Sequence, residues 1–170
     1  MGAYQKVALG GGCHWCTEAV FQSLKGVSDV QQGFVASADE NSSFSEAVIV
    51  YFDTKNITLK TLVEIHLYTH KSTCNHSMRE KYRSAVYWFS EFQKEEVRTV
   101  LNMLQKDFDK QLITKVLPFK MFKASRDEIT NYYFSNTEKP FCKTFINPKL
   151  KLLLDKFSKN VAIEKLNHLV

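Results

Sequence analysis

The apolar positions switch between two periods along the chain, and each switch marks an element. Tyr4 to Leu9 reads as a strand that runs into Gly10-Gly11-Gly12. Past the glycines, Cys13, Cys16, Val20 and Leu24 recur at i, i+3, i+7 and i+11, the rhythm of a helix that should stop at Gly26. Val27 to Val35 predicts a second strand, weakened by Gly33, and Ala36 to Ser45 a polar loop. Glu46 to Asp53 is β-rich, and alternation puts Glu46, Val48, Val50 and Phe52 on one face. Glu46 is therefore an acid on the face, or at the mouth, of a buried strand.

The second half continues in the same way. A helix from about Thr58 carries Leu59, Leu62, Val63 and His66 on one stripe and ends in the polar run His70-Lys71-Ser72-Thr73-Cys74-Asn75-His76. Tyr82 to Phe89 predicts a strand, and Ser90-x-x-Gln93 a capping box for a helix with Val97, Val100, Leu101, Leu104 and Phe108 on its stripe. Gln111 to Phe122 is strand-like and broken by Pro118; Ser125-x-x-Glu128 predicts a short helix through Tyr132 and Tyr133. Asn147-Pro148 opens a last helix with Leu150, Leu153, Leu154 and Phe157 in register. Strand, helix, strand, strand, helix, strand is the split βαβ, ferredoxin-like order. The expected fold is α+β: a two-layer sandwich with a mixed sheet, a βαββαβ core and packed helices. A single catalytic domain over residues 1–170 is expected, with its core at about 4–158 and a C-terminal helical tail.

Composition narrows the function. The chain has 170 residues, 44% hydrophobic and 24% charged, enough for one sizeable core. Its net charge of +5 is concentrated in C-terminal lysines, but Lys149, Lys151, Lys156 and Lys159 fall between the apolar positions of the last helix, as on its wet side. A nucleic-acid face is disfavoured, and no run is long enough to span a membrane. Met1 to Lys6 lacks a secretory pattern, and Lys6 leaves the Gly2 myristoylation pattern incomplete. A cytoplasmic monomer is the expectation, in which four cysteines suit reactive or metal-bound thiols better than structural disulfides.

Gly10-Gly11-Gly12-Cys13-His14-Trp15-Cys16 admits three readings. Neither nucleotide fingerprint is present, which disfavours a phosphate cradle. Zinc would draw on His66, His70, Cys74 and His76, but their spacing pairs poorly with a C-x-x-C. Haem attachment is excluded because no histidine follows Cys16. The third reading is a reactive thiol: the turn sets Cys13 at a helix N-terminus, where free N–H groups and the helix dipole favour a thiolate. Glu46, if desolvated, would hold a proton at neutral pH; a solvated strand end is the alternative for it. Tyr82 and Tyr132 read as core aromatics on position alone.

Together these residues resemble a known family. Gly10 to Ala19 is similar to the signature of the A-type peptide methionine sulfoxide reductases, whose common form is Gly-Cys-Phe-Trp. Gly26-Val27, Glu46-Ala47-Val48, Phe52-Asp53, His70, Tyr82-Arg83-Ser84-Ala85, Asn131-Tyr132-Tyr133, Pro140-Phe141-Cys142 and Pro148-Lys149-Leu150 follow in order. The resemblance covers about Val7 to Phe157. It implies a βαββαβ α+β fold and reduction of the S epimer of methionine sulfoxide, free or in proteins, without metal or other bound cofactor. By position it implies Cys13 as nucleophile, Trp15 as a wall for the substrate methyl, Glu46 as proton donor, and Tyr82 and Tyr132 as donors to the sulfoxide oxygen. A Cys13 sulfenic acid would be resolved by Cys16 or by Cys142, which sits on a tail expected to be mobile, and thioredoxin or a similar dithiol would reduce the disulfide. Cys74 has no counterpart.

The chain departs from the family pattern in three places. His14 replaces the usual phenylalanine of the methyl pocket, Phe34 stands for a tyrosine, and the stretch from His70 to Tyr82 is short and lacks an aspartate. The alternatives are a general dithiol-disulfide oxidoreductase using Cys13 and Cys16, and a metal-binding or regulatory module without the reaction.

Overall fold

Six strands form one sheet in a computed structural model that describes residues 4–170; Gly2, and with it the myristoylation reading, lies outside the described residues. The strands are β1 (Tyr4–Gly10), β2 (Val27–Ala36), β3 (Ser45–Asp53), β4 (Ala85–Trp88), β5 (Lys115–Pro118) and β6 (Met121–Ala124). Their spatial order is β5-β4-β1-β3-β2-β6. β1 and β2 run parallel with β3 antiparallel between them, and β4 pairs antiparallel with the other side of β1. This is the split βαβ core that the element order predicts. β5 extends it parallel to β4, and β6 extends it antiparallel to β2.

Alternation along the strands divides the sheet into a helical and a non-helical face. Val7, Leu9, Val48, Val50, Phe52 and Val86 point towards the layer formed by α1 (His14–Gln22), α2 (Leu59–Thr69), α3 (Glu91–Leu104), α4 (Tyr132–Ser135) and α5 (Asn147–Lys156). Ala8, Ala47, Ile49, Ala85 and Tyr87 point the other way, where Tyr51, Phe89, Phe119 and Phe122 cover them. The fold is α+β in two layers. α2 is capped by Thr58, whose hydroxyl accepts from Thr61 N, and α3 by Ser90, whose hydroxyl accepts from Gln93 N. In the Ser90 box, Gln93 Oε1 also accepts from Phe89 N at 2.8 Å. Each cap satisfies a donor left free at a helix start.

Four expectations are corrected. The predicted strand 82–89 is only Ala85–Trp88, because Tyr82 and Arg83 belong to a loop stapled to the glycine turn. The segment 111–122 splits at Pro118 into two short strands on opposite edges of the sheet. Ser125 caps no helix: a 3-10 turn covers Asp127–Ile129, and Asn131, at φ 52°, separates it from the one-turn α4. The last helix begins after a π turn at Cys142–Ile146, and Asn147 accepts from Tyr133 Oη at 2.6 Å instead of capping. Beyond α5 the chain stays on the core, with Val161 and Leu166 fully buried and a bridge from Leu24 to Val161. Among the described residues no helix is long and apolar enough to cross a membrane.

Candidate active site

β1 lies between β3 and β4 and delivers its glycines to a crowded sheet end. A Cβ on Gly10 would stand 3.0 Å from Glu46 O and 3.1 Å from Arg83 O. A Cβ on Gly11 would meet the His70 ring, at 2.7 Å from Nε2 and 2.8 Å from Cγ, with Cδ2 nearer still. That ring cannot swing aside: Nδ1 donates to His66 O, and Nε2 lies 2.8 Å from Ser84 Oγ, which in turn contacts Thr114 Oγ1. Burial keeps the His70 ring's pKa well below the ordinary histidine value and so keeps it neutral. Gly11→Ala should therefore lower stability by about 1–3 kcal/mol and displace the Cys13 turn. An unchanged denaturation midpoint together with unchanged Cys13 reactivity would show that this close approach is dispensable.

Arg79 holds the turn from the other side. Its guanidinium donates to Gly11 O at 2.8 Å, Tyr82 O at 2.9 Å, Cys74 O at 3.0 Å and also to Lys71 O. The polar loop after α2 is thus tied to the glycines, and Tyr82 to the vicinity of Cys13. Nothing in the local pattern around Arg79 announces the tie to the glycines, because Gly11 lies far from it in sequence.

Cys13 is the residue before α1, with non-helical φ −59° and ψ 127°, and its carbonyl accepts from Cys16 N and Thr17 N. Its thiol pKa lies below the ordinary cysteine value, first because the Cys16 S–H donates to its sulfur, with help from the backbone N–H groups of Trp15 and Cys16. Burial and the Glu46 charge oppose the shift without cancelling it. Cys16 is pushed far up by the same hydrogen bond and by burial, so it holds its proton. A thiol with a lowered pKa is alkylated faster at neutral pH. Cys16→Ala removes the donated hydrogen bond, so Cys13 alkylation by iodoacetamide at pH 7 should slow while the rate at high pH stays the same. Coincident pH profiles for the two proteins would refute this.

Glu46 lies at the start of β3 on the helical face, buried to 8% exposure. Its Oε1 accepts from the backbone N–H of His14, the first residue of α1, at 3.0 Å. The His14 Nε2 is 3.6 Å from the same oxygen, and Lys81 Nζ is 3.8 Å from Oε2. The carboxyl is thus anchored at the helix start one residue past Cys13. His14 is itself buried, with Nδ1 2.7 Å from Gly33 O and its ring edge-on to Phe34. The structure turns His14 under the site towards β2 rather than onto a cavity wall, because the Gly33 carbonyl and Glu46 offer a ring two polar partners that a phenylalanine could not use. Phe34 is the direct cross-strand neighbour of Glu46.

An aromatic cluster stands on the other side of Cys13. Trp15 stacks on Tyr132 at 4.0 Å with an interplanar angle of 1°, and Phe141 meets it edge-on at 5.3 Å. Glu18, one turn after Trp15 and 1% exposed, sets this arrangement. Its carboxylate accepts from Asn131 N at 2.8 Å, Tyr132 N at 3.1 Å and Gln32 Nε2 at 2.9 Å, holding the left-handed Asn131 and the Tyr132 that follows it. Burial raises the Tyr132 phenol above the usual value, as does the electrostatic influence of the Cys142, Cys13 and Cys16 sulfurs, so it remains a donor. Cys142 is fully buried, with its sulfur 3.7 Å from Asn136 O. It belongs to a packed π turn, not to a mobile tail.

A cavity of about 510 Å³ opens beside the turn, lined by Gly12, Cys13, Cys16, Tyr82, Phe141 and Lys149 among others. Met78 and Phe145 lie half-exposed on its rim. Of the residues expected from the sequence, Cys13, Cys16 and Tyr82 line it. Glu46 joins them through the His14 N–H, Trp15 and Tyr132 through the aromatic stack, and Cys142 lies in the core. Lys149, expected on the wet side of α5, is instead half-buried with Nζ on Thr69 O, and burial lowers its pKa. The parts played by Glu18 and Arg79 leave no local signal in the sequence, since each acts through contacts to a distant segment. Among the described residues no three His, Cys, Asp or Glu side chains gather as a cation cage. His66 turns Nε2 to Gly10 O at 2.8 Å, His76 Nδ1 accepts from Met78 N, and Cys74 is exposed.

Known proteins resemble the chain in sequence and in fold. A sequence model of a family described as peptide methionine sulfoxide reductase matches residues 5–161. Relatives named peptide methionine sulfoxide reductase MsrA include one from Sulfolobus acidocaldarius, 31% identical over 91% of this chain and 96% of its own. Another, from Trichodesmium erythraeum, is 31% identical over 92% and 97%. Similar solved structures include Mxr1 from Saccharomyces cerevisiae in reduced form, with TM-score 0.71 at 20% identity over 84% of this chain and 91% of that one. Mxr1 in complex with Trx2 is also similar, with TM-score 0.59 at 21% identity over 74% and 84%. At such identities the structural likeness carries the fold.

Proposed function

The chain belongs to the peptide methionine sulfoxide reductase family, and from that premise we propose that it reduces the S epimer of methionine sulfoxide through Cys13, with Glu46 as the acid. It is an oxidoreductase that works by thiol chemistry. One observation carries the assignment of residues: the sulfur with the lowered pKa and a buried carboxyl meet at the same helix start, linked through the His14 N–H.

The chemistry needs this pairing. A sulfoxide oxygen leaves poorly from sulfur, so thiolate attack must be accompanied by proton transfer to oxygen. Cys13 Sγ bonds to the substrate sulfur while Glu46 gives its proton to the oxygen. The hydroxyl then passes from the substrate sulfur to Sγ as the Sγ–S bond breaks, leaving a Cys13 sulfenic acid and methionine, which has gained the two electrons that Cys13 lost. Tyr82, on the cavity wall, and the protonated Tyr132 phenol are assigned to hold the oxygen. Trp15, stacked on Tyr132, borders the place for the methyl group. The half-exposed Met78 and Phe145 give the cavity an apolar rim, which suits methionine in a protein chain.

Cys16 is the resolving thiol in this reading. Cys16 lies one turn from Cys13 on the same cavity, and Cys13 precedes α1 with non-helical φ and ψ, so its backbone can adjust outside the helix as the disulfide closes. Attack on the sulfenic acid forms the Cys13–Cys16 disulfide and releases water. Thioredoxin or a similar dithiol then reduces it by exchange; the likeness to Mxr1 in its complex with Trx2 supports that partner. No bound cofactor enters the scheme, which is assigned to a cytoplasmic monomer. In Cys16→Ser one equivalent of methionine should still form while multiple turnover with a dithiol reductant falls at least about a hundredfold; Cys142→Ser should keep both. The reverse pattern would transfer the role to Cys142.

The deciding experiment is single-turnover reduction of each epimer by pre-reduced protein without added reductant. One equivalent of methionine from the S epimer alone is expected. No methionine from either epimer, with insulin disulfides reduced instead, would make the chain a general dithiol oxidoreductase.

A further inference from the structure

We propose that His14 and Glu46 share one proton, so that the acid of this chain is a histidine–carboxyl pair, with His14 a positioning residue that acts through Glu46. The inference rests on the reading of Glu46 as proton donor.

Geometry fixes the ring's tautomer. Nδ1 lies 2.7 Å from Gly33 O, a carbonyl that can only accept, so Nδ1 carries a proton. The neutral ring's lone pair is then on Nε2, the atom 3.6 Å from Glu46 Oε1. Both side chains are nearly closed to water, at 6% and 11% exposure. Phe34 meets the His14 ring edge-on and pairs across the strands with Glu46, closing the β2 side. The backbone N–H of His14 holds Oε1 in place at 3.0 Å. One residue thus fixes the carboxyl with its main chain and faces it with a basic nitrogen.

The other charged groups around the pair are few. Cys13 and Glu18 belong to the same turn and helix, and Lys81, from the loop before β4, reaches Oε2 at 3.8 Å. β2 presents Gly33 and Phe34, and β6 places the exposed Lys123 opposite Phe34.

The proton count closes within the site, and a second holder beside Glu46 gives the returning proton a place to stand. Each turnover converts Cys13 thiolate and Glu46 carboxylic acid into Cys13 sulfenic acid and Glu46 carboxylate. Disulfide formation releases water with no net proton, and dithiol exchange returns a Cys13 thiol beside a carboxylate. To reset, a proton must leave Cys13 and one must reach Glu46. With His14 as its second holder, the pair exists either as carboxylic acid and neutral imidazole or as carboxylate and imidazolium. The proton then belongs to the pair and not to either residue.

The test is the pH profile of single-turnover methionine formation in wild type, His14→Gln and His14→Phe, each normalised to its own plateau. His14→Gln retains an amide that can donate to Gly33 O but has no basic nitrogen to hold a proton for Glu46. The high-pH limb should move to lower pH in both variants, so that at pH 8 the normalised rate is about tenfold below wild type, the size of a one-unit displacement. The Cys13 alkylation profile, taken in parallel, should move by less than the limb, because the Glu46 charge is a lesser influence on that thiol than the Cys16 hydrogen bond. A glutamine variant with the wild-type limb would overturn the proposal and leave His14 a structural residue. If either variant fails to fold, ¹⁵N spectra of histidine-labelled wild type decide: Nδ1 protonated throughout with Nε2 titrating supports the pair, and a bare Nδ1 overturns it. Failure of the wild type to form methionine would instead remove the functional reading.

Discussion

Cys13→Ser should yield a folded protein that forms no detectable methionine from methionine sulfoxide, in single or multiple turnover. Cys13 is the residue before α1 and is partly exposed, so the change removes no core volume, and a serine oxygen fits the same position. What is lost is the nucleophile. The Cys16 S–H and the Trp15 and Cys16 N–H groups lower the Cys13 thiol pKa, but an alcohol is too weak an acid for the same donors to ionise it, and it cannot form a sulfenic acid or a disulfide. The measurement is methionine formed per mole of protein, with the circular dichroism spectrum as the check on folding. A folded Cys13→Ser protein with wild-type turnover would end the proposed mechanism.

Glu46→Gln should lower the single-turnover rate at neutral pH by about a hundred- to ten-thousand-fold, the range that a positioned general acid contributes. The amide oxygen of glutamine can still accept from His14 N at the place Oε1 occupies, so the start of α1 and the Cys13 turn stay in position. The amide has no proton acidic enough for the sulfoxide oxygen. Ionised Glu46 raises the Cys13 pKa and the amide cannot, so Cys13 alkylation at pH 7 should be as fast as in wild type or faster. Slower chemistry at a more reactive thiol separates proton donation from nucleophile activation. A rate within threefold of wild type would assign the acid elsewhere.

The order of elements was legible because periodicity is local: Val48, Val50 and Phe52 on one face of β3 and Leu62, Val63 and His66 on one stripe of α2 are all found buried. The signals that failed depend on competition between segments. Ser125-x-x-Glu128 has a capping pattern, yet the Glu18 carboxylate binds Asn131 N and Tyr132 N, and the chain bends there into a left-handed residue. Tyr82 and Arg83 have strand-like character, yet Arg79 takes the Tyr82 carbonyl and Arg83 Nη2 reaches Ser43 O at 2.7 Å. In both places a buried charged group, Glu18 or Arg83, with partners far away in sequence outweighs weak local preference.

The sequence by itself determined the two-layer α+β fold, a cysteine at a helix N-terminus, an acid beginning a buried strand, and the family signature, because spacing along one element suffices for each. Only the tertiary structure decided what those groups face. It set the Cys16 S–H against the Cys13 sulfur, put Cys142 in the core, turned His14 from the cavity to Glu46, and brought Glu18, Arg79 and Lys149 to the site. Those outcomes depend on which buried polar atoms meet a partner across the sheet, a condition that involves several segments at once and that no single segment encodes.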